Sequence, residues 1–121
     1  LAPDHAGTDW STIVRYYALL TQVDPSAAPA LGHAIALSEA GSAEEALVRL
    51  EALQFQVPSA LKPHTLAAMA RAHERLGRPV DALRCLDAAI AHTRHGADAR
   101  LLAHHRARLA RPSQPGEERS P

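Results

Sequence analysis

The sequence predicts an all-α fold of about six helices, paired into antiparallel hairpins that stack in order as a right-handed array. Three observations carry this prediction. The apolar content is mostly aliphatic residues and Ala, with Trp10, Tyr16, Tyr17 and Phe55 the only aromatic side chains, which suits closely packed helices better than a sheet. Apolar residues recur at helical spacing between Gly and Pro breaks. The segment that begins at Gly41 recurs at Gly77, 36 residues further on.

The elements follow in order. Thr8 reads as the cap of a first helix from about Asp9 to Gln22, with Trp10, Ile13, Val14, Tyr17 and Leu20 on one stripe and Asp9 near the positive end of the helix. Asp24 and Pro25 restart the chain. A second helix, residues 27–40, takes Pro29 in its first turn, aligns Leu31, Ala34, Ile35 and Leu37, and stops at Gly41. Ser42 and Glu45 have the spacing of a capping box for a third helix that buries Ala46, Leu47, Leu50 and Leu53. The loop 54–58 offers Phe55 and Val57 as plugs against the core. A fourth helix, about Pro63 to Leu76, ends at Gly77, and Pro79 opens a fifth that reaches Thr93 with Val80, Ala82, Leu83, Leu86, Ala89 and Ile90 inward. A sixth, Ala97 to Arg111, turns Leu101, Leu102 and Leu109 inward and caps the stack. The domain therefore spans 9–111. Residues 1–8 read as a linker or the remnant of an upstream segment, in keeping with a chain that begins at Leu1 without Met, and 112–121 as a disordered tail without an apolar anchor.

Gly41, Glu45, Ala46, Leu47, Leu50, Glu51 and Ala52 realign onto Gly77, Asp81, Ala82, Leu83, Leu86, Asp87 and Ala88. A period in the mid-thirties made of helix, Gly turn and helix is the mark of tetratricopeptide-like hairpins, each burying its apolar face against the next. Small residues stand where helices must approach closely: Ala34 and Ala70 in the first helices of the pairs, Ala46 and Ala82 in the second. The same shift taken backwards makes the first helix the second half of an upstream hairpin. It predicts an exposed apolar face at Trp10 and Tyr17, open to a partner or to a second copy in a homodimer.

Several function classes are excluded by composition. No apolar run approaches the ~20 residues of a membrane span, and no charged-then-apolar leader stands at the N-terminus. The lone Cys85 has no partner for a disulfide or a zinc site, which fits the reducing cytoplasm. Residues 1–61 carry a net −5 and residues 62–121 a net +5 within an overall charge of zero. A stack in chain order would then present opposite potentials at its two ends and orient a partner meeting it edge-on.

Eight histidines raise the question of a metal. His92 and His95 are three apart, and His104 and His105 are adjacent, which sends them about 100° apart around a helix. No His-Glu-x-x-His motif or Cys pair supports them. His105 reads as half-buried between Leu102 and Leu109, and His73 as a histidine at the edge of the core. There is no Gly-rich phosphate loop, and no serine has the context of a nucleophile. No enzyme, cofactor or metal centre is predicted.

What remains is surface. The first helices of stacked hairpins line a concave face, here Leu31, Ile35, Ser38 and Glu39, followed by His64, Ala67, Arg71, Glu74 and Arg75, a mixture of apolar floor and charge suited to a peptide or helix. A basic stripe on the last helix, Arg100, His104, Arg108 and Arg111, shares one face. Without interleaved aromatics or a net positive charge, a solvated or protein-facing role is favoured over contact with nucleic-acid phosphate.

The ordered motifs resemble one family. Thr8, Asp9 and Trp10 followed by Ile13 and Tyr16, then Pro25 and Ser26 leading to Ala30, Leu31, Ala34, Ile35 and Ala36, then Gly41 with Leu47, Leu50 and Leu53, then Ala68 to Ala72 and Arg75 to Arg78, are similar to the tetratricopeptide-like C-terminal extension of bacterial extracytoplasmic-function sigma factors. The resemblance covers about Thr8 to Leu109. It implies a regulatory domain in transcription initiation that works through protein contacts with the sigma core regions or RNA polymerase. Promoter DNA would be contacted only by sigma regions that this chain does not contain. The chain departs from the family at Gly32 and His33, where the family has Asn and Arg, and at Lys62 and Leu86, where it has tyrosine-bearing stretches. Two alternatives stay open: a stand-alone scaffold for an unrelated protein or peptide, and a metal-dependent enzyme that uses the His-rich end of the chain.

Overall fold

The computed structural model describes residues 8–93 and 96–110. Among them the chain is all-helical, without a strand: α1 Trp10–Val23, α2 Ala27–Glu39, α3 Ala43–Leu53, α4 Lys62–Arg75, α5 Pro79–Ala91 and α6 Gly96–Ala110, with a 3-10 turn at Ser59–Leu61 before α4. Each helix packs on the next in chain order, and α4 also touches α2. The expected linker up to Gly7, the tail 112–121, His95 and Arg111 lie outside the described residues.

The two glycine turns close in the same way. Gly41 (φ 101°) and Gly77 (φ 74°) occupy the left-handed region. Gly41 N–H donates to the Ser38 carbonyl at 3.2 Å and Ser42 N–H to that of Leu37 at 2.8 Å. At the second turn Gly77 N–H donates to Glu74 at 3.1 Å and Arg78 N–H to His73 at 2.9 Å. This double closure satisfies carbonyls that the helix end leaves unpaired, and it requires a residue that tolerates positive φ. The short connections fold α2 back along α3, and α4 back along α5, as helical hairpins.

Two expected caps differ. The α1 cap is Asp9, not Thr8: its carboxylate accepts from Thr12 N at 3.2 Å and from Thr12 Oγ1 at 2.6 Å. The capping box at Ser42 does not form. Its geometry needs the Ser42 N–H, which is committed to Leu37, while the Glu45 carboxylate is taken by Arg49 at 2.9 Å. At the other end of α1, Asp24 accepts from Ser26 N at 3.1 Å and forms the short turn that leads into α2.

The main core draws Leu31 and Ala34 from α2, Leu47 and Leu50 from α3, Leu66, Met69 and Ala72 from α4 and Ala89 from α5. A smaller cluster joins Ala70, Ala82 and Leu86, and Cys85 and Leu102 pack against both. Ala34, Ala46, Ala70 and Ala82 are all completely buried, as close helix approach requires. At α1 the close approach is made by Gly32, where a Cβ would stand 2.5 Å from Cε1 of the Tyr17 ring.

Three residues expected inside are outside. Phe55 is 81% exposed on the connection between α3 and α4; Lys62 Nζ lies 5.4 Å from its ring centroid and donates to the Gln54 carbonyl. Val80 is exposed, as is Glu44, the residue it matches in the preceding unit. Leu101 is exposed because the inward stripe of α6 consists of Leu102, His105, Arg106 and Leu109, and position 101 lies about 100° away from Leu102 on the helix.

Candidate protein-binding surfaces

The expected concave face separates into three kinds of residue. Leu31 and Ser38 belong to the interior at 6% and 2% exposure, so neither is available to a partner. Leu31 belongs to the core cluster that α2 shares with α3, α4 and α5. Ile35 and His64 are exposed and Ala67 is partly so. Glu39, Arg71, Glu74 and Arg75 form an internal tie.

The Glu39 carboxylate at the end of α2 accepts from Arg75 Nη2 at 2.7 Å and from Arg71 Nε at 3.2 Å, both on α4. Only 9% of the Glu39 side chain remains exposed. Burial pushes its pKa up, but the hydrogen bonds and charges of Arg75 and Arg71 outweigh burial and hold it below the ordinary carboxylate value. Glu39 and Arg75 are one repeat unit apart in sequence, so the bond links equivalent positions of successive first helices. Arg71 Nη1 also lies 3.6 Å from Glu74 Oε1, and His105 Nε2 approaches the same oxygen from α6 at 3.5 Å. That separation is too long for a hydrogen bond, and both atoms are buried without one.

Arg78 extends the pattern by donating to Glu44 Oε2 at 3.2 Å. The opposite charges of the two halves are therefore partly consumed between them, and the edge-on field expected from the sequence is reduced at Glu39 and Glu44. On α6, Arg100, His104 and Arg108 are exposed and, among the described residues, free of ion pairs. Arg106, which the sequence did not single out, binds Asp87 of α5 and anchors α6.

Trp10 and Tyr17 are half-buried, since Tyr17 lies against Gly32 of α2. The open apolar stripe of α1 is instead Tyr16, Leu19 and Val23, exposed at 60%, 66% and 80%. Those residues recur at i, i+3 and i+7, so the periodicity of α1 carries two apolar faces, and the one with Tyr17 is turned to α2.

A cleft of about 340 Å³ lies between α3 and the α4–α5 turn, lined by Glu44, Glu45, Leu47, Val48, Glu51, His73 and Arg78. His73 is 8% exposed, in line with a histidine at the core edge, and its buried Nδ1 has no hydrogen-bond partner. Burial between the two core clusters pushes the Cys85 thiol up from its ordinary value, which keeps it protonated and unreactive at neutral pH. Among the described residues no group of three or more His, Cys, Asp or Glu side chains could hold a metal ion, and no helix is long and apolar enough to cross a membrane.

Compared with protein-family models, with curated proteins and with solved structures, the chain matches none of them.

Proposed function

We propose that this chain is a protein-binding module built as a tetratricopeptide-like right-handed stack, and that it acts as the regulatory C-terminal extension of an extracytoplasmic-function sigma factor in transcription initiation. The first half of this reading is carried by the repeat unit. Two hairpins turn through Gly41 and Gly77 with matching backbone bonds, and Glu39 meets Arg75 one period away. A unit that buries one apolar face against its neighbour and repeats leaves extended surface for a partner. The sigma assignment rests on the succession of motifs from Thr8 to Leu109.

In this reading the partner is the sigma core or RNA polymerase, and DNA is reached only through sigma regions. Ile35 and His64 on the first helices, and Arg100, His104 and Arg108 on α6, are the side chains offered to it. The outer stripe of α1 is the proposed seat of self-association in the isolated chain. The test is retention of purified sigma core regions or polymerase on the immobilised chain. Wild type should retain one of them, and the Ile35→Asp, His64→Asp double variant should retain several-fold less. Retention of neither at micromolar concentration overturns the sigma assignment and leaves a scaffold for an unrelated protein.

A further inference from the structure

We infer that the chain pairs with a second copy of itself through the outer faces of α1 and α3, each copy laying its α1 on α3 of the other. The inference rests on the self-association placed above on α1 and adds the surface that α1 meets. Eight large apolar side chains are exposed among the described residues, and five of them fall in one helical sector of two helices: Tyr16, Leu19 and Val23 on α1, Val48 on α3 and Phe55 just after it. Val48 and Phe55 stand 36 residues after Thr12 and Leu19, and Thr12 lies one turn before Tyr16, so both belong to the α3 counterpart of the α1 stripe.

Burial supports this register. Trp10, Val14 and Tyr17 are partly covered in α1, and their counterparts Ala46, Leu50 and Leu53 are buried in α3. Both helices pack on α2, and the exposed stripes turn away from it. At α5 the matching positions hold Arg84, Ala88 and Ala91, so the run of large apolar side chains ends with α3. Exposed apolar side chains gathered in this way mark a surface that another protein covers.

Charge identifies the occupant. Arg15 precedes Leu19 by four residues and Glu51 precedes Phe55 by four, so opposite charges flank the apolar side chains at equivalent positions. Both are exposed, and neither has an ion pair among the described residues; Arg15 donates to the Thr12 hydroxyl at 3.5 Å. A two-fold arrangement with α1 of each copy on α3 of the other sets Arg15 against Glu51 and Leu19 against Phe55, and does so twice. A partner surface of a single sign would oppose one of the two charges. Lys62 lies over one side of the Phe55 ring and leaves the other to the second copy. Ile35, His64 and the basic stripe of α6 stand on other helices, so the pair offers them in duplicate.

The test is sedimentation equilibrium of the full chain at low salt, from micromolar to near-millimolar concentration. Wild type should pass from monomer to dimer. Leu19→Glu and Phe55→Glu, both at exposed positions, should each weaken the dimer several-fold, whereas Val80→Glu, also exposed but on α5, should not. Arg15→Glu and Glu51→Arg should each weaken it and together restore it, a recovery that loss of fold does not produce. A chain monomeric throughout, or a double reversal no better than the single ones, overturns the inference. A dimer lost in Leu19→Glu but kept in Phe55→Glu also overturns it, while leaving self-association on α1. If the chain stays monomeric and Phe55→Glu abolishes retention of the sigma core or polymerase, the face belongs to that partner and the second copy is overturned. If the dimer behaves as expected but neither protein is retained, the sigma assignment falls and the pairing stands.

Discussion

At Gly77 the backbone has φ 74°, and a Cβ built there would meet nothing within 4 Å. The requirement for glycine is therefore conformational and not steric crowding. Gly77→Val should cost ~1–2 kcal/mol, the penalty of placing a branched side chain in the left-handed region. Gly77→Asn should cost less, because Asn visits that region more readily. Thermal or urea unfolding of the two variants checks this, and a wild-type midpoint for the valine variant would contradict the turn. The same residue scale explains the Ser42 result. A capping box and a left-handed glycine closure compete for one N–H, and with Gly41 immediately before it the closure takes that N–H.

Between elements, the smallest side chains set the spacing. Ala82 is completely buried and packs with Ala70 and Leu86, so the α4–α5 hairpin is held at the distance an alanine allows. Ala82→Leu should overpack this seam and destabilise the domain by ~1–3 kcal/mol, read from the denaturant midpoint at unchanged slope. An unaffected midpoint would mean that the helices can separate without loss. The α2–α4 contact is of another kind. It pairs a nearly buried carboxylate with two guanidiniums and fixes the second unit against the first by charge-assisted hydrogen bonds. None of the three local patterns foretells these bonds; the partners come together only when one unit has been laid on the next.

Among the described residues, the carboxylates and the histidine whose pKa departs from the ordinary value all move in one direction. Glu39, Asp9, Asp24 and Asp87 are lowered: Glu39 by Arg75 and Arg71 against burial, Asp9 by the Thr12 hydroxyl, Asp24 by Ser26 and Asp87 by Arg106. His33 is lowered from 6.5 by burial and by Arg49. A group with a depressed pKa in the fold contributes stability above its unfolded value and loses it as pH falls through the folded value. Stability should thus decline first below about pH 6.5 as His33 is forced to charge. It should decline again below the ordinary carboxylate range. Urea unfolding at pH 7, 5 and 3 checks this, and Glu39→Gln should flatten the lower part of the profile. A profile that rises toward acid, or one identical in the variant, would contradict the role given to the clamp.

Helix existence, the two glycine stops and the alanines at close approach were all legible in the sequence, because each depends on the residue itself and its neighbours within a turn or two. The 36-residue repeat was legible for the same reason, since it is local pattern occurring twice. The tertiary structure alone decided which of two apolar faces α1 turns to α2, that Leu102 and not Leu101 faces inward, and that Phe55 stays in solvent. It also decided that Glu39 is a clamp and not a docking charge, and that Glu51 and His73 share a cleft. Periodicity specifies which residues lie on one side of a helix. The rotation of that helix and its distance from its neighbours follow from the packing of all of them together.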